Sequence, residues 1–102
     1  MTETSTRIRR QAVIIDPLGL HLRPAARVVV LAKSFRSDIR VVHNGAMADG
    51  KSLLDLLILA IECGAKVDLI ASGPDATEAL DALVDLIEAG LEAPAQRAAA
   101  AA

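Results

Sequence analysis

The chain has 102 residues, a length that suits one domain, with 53% hydrophobic residues, a single aromatic (Phe35) and a formal net charge of −2. No basic excess or aromatic series supports a nucleic-acid surface. The longest apolar run outside the alanine tail, Leu56 to Ile61, is far short of the roughly 20 residues that span a bilayer, so no membrane insertion is expected. A lone Cys63 can close no internal disulfide, and the polar start, Met1 to Arg10, lacks the apolar stretch of a secretion signal; a cytoplasmic domain is the expectation.

Taken in chain order, residues 1–6 read as a disordered lead-in. Ile8 to Ile15, rich in β-branched residues, reads as a strand, with Arg7, Arg9 and Arg10 as solvated charges around its start. Asp16-Pro17-Leu18-Gly19 breaks it. A helix follows from Leu22 to Phe35. Pro24 fits only in a first turn, where its missing N–H is no loss, which puts the helix start within a residue or two of His21. Ala25, Ala26, Val29, Val30 and Ala32 are the expected buried stripe, with Arg27, Lys33 and Arg36 outside.

Asp38 to His43 and Ala46 to Asp49 read as two strands joined at Asn44-Gly45, a pair that tolerates the positive φ of a tight hairpin. Ser52 is an expected N-cap for a helix from Leu53 to Glu62, with Gly64 beyond its end. Val67 to Ala71 reads as a fourth strand. Asp75 and Glu78 have the spacing of a capping box before a third helix, Ala76 to Ala89, whose apolar face holds Ala79, Leu80, Leu83, Leu86 and Ile87. Gly90 stops it, and residues 92–102 read as an Ala-rich disordered tail. The order is β-α-β-β-α-β-α, with an at least partly antiparallel sheet whose helices must cover one face.

The candidate chemistry sits at His21. The first turn of a helix carries N–H groups without intrahelical partners and a partial positive charge, and phosphate is a common occupant of such a site. Arg23 adds a planar cation suited to phosphate oxygens. The same positive field favours the neutral imidazole that a nucleophile toward phosphorus needs. The competing reading is a polar residue near a helix start and nothing more.

Gly19-Leu20-His21-Leu22-Arg23-Pro24-Ala25-Ala26 resembles the active-site signature of the HPr family, the histidine phosphocarriers of the bacterial phosphotransferase system. Gly50-Lys51-Ser52-Leu53-Leu54 resembles the family's regulatory serine region. Ala71-Ser72-Gly73-Pro74-Asp75 with Glu78-Ala79-Leu80 resembles its turn into the last helix. The likeness runs from Ile8 to Leu91, within a domain taken as residues 7–91. It implies an α+β open-faced β-sandwich, a four-stranded antiparallel sheet covered on one face by three helices. It also implies a cycle: enzyme I, phosphorylated by phosphoenolpyruvate, passes the group to His21 on Nδ1, the pros nitrogen. His21 hands it to an enzyme IIA domain, and Arg23 stabilises it.

The resemblance further implies that Ser52 is a regulatory site for an HPr kinase/phosphorylase, set against a plain N-cap role. Leu53, Leu54 and Leu57 would form an exposed docking patch, with Arg27 and Lys51 as rim charges; the plainer alternative is a deeper core. A monomer without metal or cofactor is expected, a carrier rather than a stand-alone enzyme. Asp55, Leu22 and Leu18 depart from the commoner family residues. They leave open the sugar branch and a nitrogen-related branch; the alternative of a contact-only regulatory module of the same fold is opposed by the intact His21-Leu22-Arg23-Pro24 segment. His43 reads as a solvated strand residue, and Cys63 as a small buried or half-buried one.

Overall fold

A computed structural model describes residues 7–89. The expected lead-in, the alanine tail and the Gly90 helix stop lie outside the described residues. Seven elements follow in the expected order: β1 (Arg7–Val13), α1 (Leu22–Lys33), β2 (Asp38–His43), β3 (Ala46–Asp49), α2 (Leu53–Leu59), β4 (Lys66–Ser72) and α3 (Ala76–Glu88).

The strands form one sheet in the order β1-β4-β2-β3, antiparallel throughout. β4, the last strand in sequence, inserts between β1 and β2. This fixes the architecture: β1 and β2 run the same way, and α1 must cross over one face to join them. The period of two then sorts the side chains. Ala12, Ile39, Val41, Ala48, Val67, Leu69 and Ala71 point to the helices and are buried. Arg9, Arg40, Asp68 and Met47 lie on the uncovered face, where Arg9 pairs with Asp68 at 2.7 Å. Arg10 lies on the covered side and reaches Asp81 on α3 at 3.0 Å. Such exposed pairs contribute little, about 0–1 kcal/mol each.

The helices close the core with Ala25, Val28, Val29 and Ala32 from α1, Leu56 from α2, and Ala76, Ala79, Leu80, Leu83 and Ile87 from α3. The stripe on α1 is therefore rotated from the expected one. Val30 is 71% exposed, and Pro24 and Val28 are buried in its place. The unbroken apolar run Val28 to Ala32 supports either face; the first turn, where Pro24 packs inward, decides it. Leu86, expected on the buried face of α3, is half-buried.

Two helix ends also differ from expectation. α2 stops at Leu59 rather than Glu62, because Ala60 takes a left-handed conformation (φ 52°, ψ 51°) as C-cap. That turn sends Ile61 into the core at 3% exposure. The apolar run hid the stop, since left-handed caps usually fall on Gly or Asn. At α3 no capping box forms. The Asp75 carboxylate instead accepts from the backbone N–H groups of Arg36 and Ser37, each at 2.9 Å, and from the Ser37 hydroxyl at 2.6 Å. The hairpin is as read: Asn44 (φ 50°) and Gly45 (φ 78°) both occupy the left-handed region.

Among the described residues no helix is long and apolar enough to cross a membrane.

Candidate functional site

His21 is the N-cap of α1, with extended backbone (φ −84°, ψ −170°), and its carbonyl accepts the first helical bond from the Ala25 N–H at 2.9 Å. Leu22, Arg23 and Pro24 are thus the first helical turn, as the proline predicted. The His21 side chain makes no cap hydrogen bond and no acidic residue lies in the first turn. The His21 side chain is 31% exposed. Arg23, in the first turn of the same helix end, is exposed. Two cationic features therefore belong to this end of the helix: its terminus and the first-turn residue Arg23.

The approach to His21 is held by the backbone. The Leu20 N–H donates to the Ile61 carbonyl at 2.8 Å, and the Gly19 N–H to the Asp16 carbonyl at 2.8 Å. Gly19 has φ +74°, and a Cβ there would lie 2.3 Å from the Ile61 oxygen. Only glycine permits this packing of the site loop against the chain leaving α2. The left-handed turn at Ala60 and the position of His21 are therefore parts of one arrangement. A shallow groove lined by Pro17, Leu18, His21, Leu57, Glu62 and Cys63 runs beside the ring.

Asp16 was read from sequence only as part of a strand-breaking loop. Its Oδ1 lies 3.4 Å from His21 Nε2, and its side chain is only 11% exposed. The same oxygen accepts from the Leu18 N–H at 3.0 Å, an Asx turn. The turn signal was visible in Asp16-Pro17; the contact across the turn to His21 was not. The ring thus meets a positive field on its helix side and a carboxylate on its Nε2 side, so the field at the ring is not purely positive as the sequence reading held.

Ser52 caps α2, its hydroxyl accepting from the Asp55 N–H at 3.2 Å. The Asp55 carboxylate in turn accepts from the Asp49 N–H at 3.3 Å. Of the apolar residues expected in the docking patch, Leu54 is 67% exposed, whereas Leu53 and Leu57 are half-buried against the core. Ile58, 70% exposed, joins Leu54 and was not singled out from sequence.

The two rim charges differ from the expectation of free surface cations. The Lys51 ammonium donates to the Phe35 carbonyl at 2.8 Å, just past the C-terminal end of α1. Arg27 is half-buried, and its Nε is buried without a hydrogen-bond partner among the described residues. His43 is half-buried, with Nδ1 likewise unpartnered, rather than solvated. Cys63 is exposed, not buried. Among the described residues no group of three or more His, Cys, Asp or Glu could hold a metal ion.

Residues 8–89 match the family described as "PTS HPr component phosphorylation site". The chain belongs to the HPr phosphocarrier family. It is 41% identical over 80 residues to the phosphocarrier protein HPr of Cupriavidus necator, covering 78% of this chain and 90% of that protein. It is 38% identical over 84 residues to the phosphocarrier protein NPr of Shewanella violacea, covering 82% and 92%. Among solved structures, HPr of Thermoanaerobacter tengcongensis superposes with a TM-score of 0.77 at 40% identity, covering 79% of this chain and 91% of that one. HPr of Bacillus anthracis gives 0.77 at 32%, covering 79% and 96%. The antiparallel sheet with three helices on one face is thus the HPr fold, and phosphotransferase-system phosphocarriers are the proteins to which this one is related.

Proposed function

We propose that His21 carries a phosphoryl group on Nδ1, accepting it from enzyme I and passing it to an enzyme IIA domain. The observation that carries this reading is the placement of a half-exposed imidazole as N-cap of α1. Its Nε2 is against Asp16, and Arg23 lies in the following turn. With Nε2 beside the carboxylate, Nδ1 is the nitrogen left to act as nucleophile. The helix terminus and Arg23 then offset the charge on the transferred group. The protein supplies no substrate pocket of its own in this reading, only an exposed nitrogen and a surface to be docked.

That surface centres on α2. Leu54 gives exposed apolar area and Leu53 and Leu57 give its half-buried flank, with Arg27 of α1 proposed as a rim charge. Apolar area of this kind marks protein contacts. Lys51 adjoins the same region, but its ammonium is committed to Phe35. Ser52 serves as N-cap and is also proposed as a regulatory site for an HPr kinase/phosphorylase. A phosphate there would compete for the Asp55 N–H that the hydroxyl now accepts and would add charge to a helix start that already carries the Asp55 carboxylate. The variant Ser52→Asp is expected to lose much of its transfer from enzyme I; unchanged transfer would remove the support for charge-based regulation.

Both HPr and NPr names occur among the relatives, so a nitrogen-branch role is the second reading. The test is a chase. The protein is loaded with enzyme I and phosphoenolpyruvate, then offered a sugar-branch and a nitrogen-branch enzyme IIA domain in separate reactions. Transfer to either domain supports the carrier reading and identifies the branch. No loading of His21 by enzyme I would contradict it in favour of a contact-only module, and loading with transfer to neither domain would contradict the onward step.

A further inference from the structure

Asp16 is placed as no turn residue needs to be. An Asx turn requires only that one carboxylate oxygen accept from the Leu18 N–H, which it does at 3.0 Å. Yet that same oxygen lies 3.4 Å from His21 Nε2, in a side chain 11% exposed. A carboxylate this sheltered acts on a neighbouring charge more strongly than an exposed one. The other groups around the ring are Arg23 on the first turn of α1, and Glu62 and Cys63, which are exposed on the wall of the groove.

We propose that Asp16 is a positioning residue for the carrier histidine: it keeps the ring proton on Nε2 throughout the cycle, so that phosphoryl exchange at Nδ1 needs no proton transfer. This rests on the carrier reading above. In the loading step the Nδ1 lone pair attacks the phosphorus of a donor phosphohistidine. The new N–P bond forms at Nδ1, the donor's P–N bond breaks, and its electron pair returns to the donor ring. The His21 ring now bears phosphoryl on Nδ1 and hydrogen on Nε2, so it is formally cationic. Asp16 offsets that charge. In the unloading step an acceptor histidine attacks the phosphorus, and the P–Nδ1 bond breaks. Its electron pair returns to Nδ1 and leaves a neutral ring, still protonated on Nε2, ready for the next group. Arg23 and the helix terminus act on the phosphoryl oxygens; Asp16 acts on the far nitrogen of the ring.

The test uses full-length protein phosphorylated with phosphoramidate, which loads histidine chemically and needs no partner. Nitrogen NMR of the His21 ring across pH reads the midpoint at which the phosphorylated ring takes up its Nε2 proton. In Asp16→Asn that midpoint falls. Transfer from enzyme I slows severalfold. Asn keeps the acceptor for the Leu18 N–H, so the melting temperature holds. Asp16→Glu, which restores the charge, recovers part of the midpoint shift. An unchanged midpoint in Asp16→Asn would reduce Asp16 to a turn residue and overturn the proposal. A shifted midpoint in a protein that enzyme I does not load would uphold the Asp16 contact while overturning the carrier reading.

Discussion

At its C-terminal end α1 runs into a closed network, and at its N-terminal end, about 18 Å away for 12 residues, it stops at a half-exposed histidine. Just past the far end the chain is tied down. The Phe35 carbonyl accepts from the Lys51 ammonium, and buried Ser37 and the Asp75 carboxylate bond to each other three ways: backbone N–H to carboxylate, hydroxyl to carboxylate, and the Asp75 N–H to the hydroxyl. At the near end the His21 side chain makes no cap hydrogen bond. Every helix must find partners for its terminal groups. Here the Ser34 hydroxyl donates to the Leu31 carbonyl at one terminus, at 2.6 Å, and the other is the end at which the phosphoryl group is proposed to be held. In the proposed reading, stability and function are divided between the two ends of one helix.

Substitutions that break this division differ in size. Gly19→Ala has the largest expected effect, because it forces a side chain into φ +74° with its Cβ overlapping the Ile61 carbonyl. A loss of about 2–4 kcal/mol is expected in urea unfolding, together with loss of phosphoryl transfer, since the site loop itself is displaced. Ser37→Ala comes next. It removes a buried hydroxyl that donates to Asp75 and accepts from its N–H. The expected loss is about 1–3 kcal/mol with phosphoryl transfer intact, measured on the same samples.

Acid gives a smaller effect at the same end. The Ser37 hydroxyl foremost, then the Arg36 N–H, hold the Asp75 carboxyl at about 2, below its ordinary 3.8. The folded state therefore binds this proton more weakly than the unfolded chain. The contribution is present above about pH 4 and is lost as pH falls toward 2. The melting temperature should fall across that window, with a shallower slope in Ser37→Ala. The smallest change is at the other end. Ala60→Gly relieves a left-handed alanine beside the His21 groove and should stabilise the fold by up to about 1 kcal/mol.

The open end of α1 was the legible one. Gly19, His21, Arg23 and Pro24 are close in sequence, and the helix start follows from proline chemistry alone. The element order and the hairpin were legible for the same reason: strand periodicity, Asn44-Gly45 and Ser52 are local signals. The closed end was misread because its partners are remote. Asp75 sits three residues before Glu78, which mimics a capping box, but its carboxylate is used by Arg36 and Ser37 from the other side of the fold. Lys51 looked like a rim charge because nothing local pointed to Phe35. Asp16 falls between the cases: its turn was visible, its contact with His21 was not. The early stop of α2 had no signal, since Ala60 and its apolar neighbours favour a continued helix.

The central claim is that His21 is the residue loaded. The direct measurement is intact mass and site mapping after incubation with enzyme I and phosphoenolpyruvate, on wild-type protein and His21→Ala side by side. One acid-labile, base-stable phosphoryl group on the wild type, and none on His21→Ala with its melting temperature preserved, is the predicted result. A phosphoryl group retained by folded His21→Ala would contradict the account.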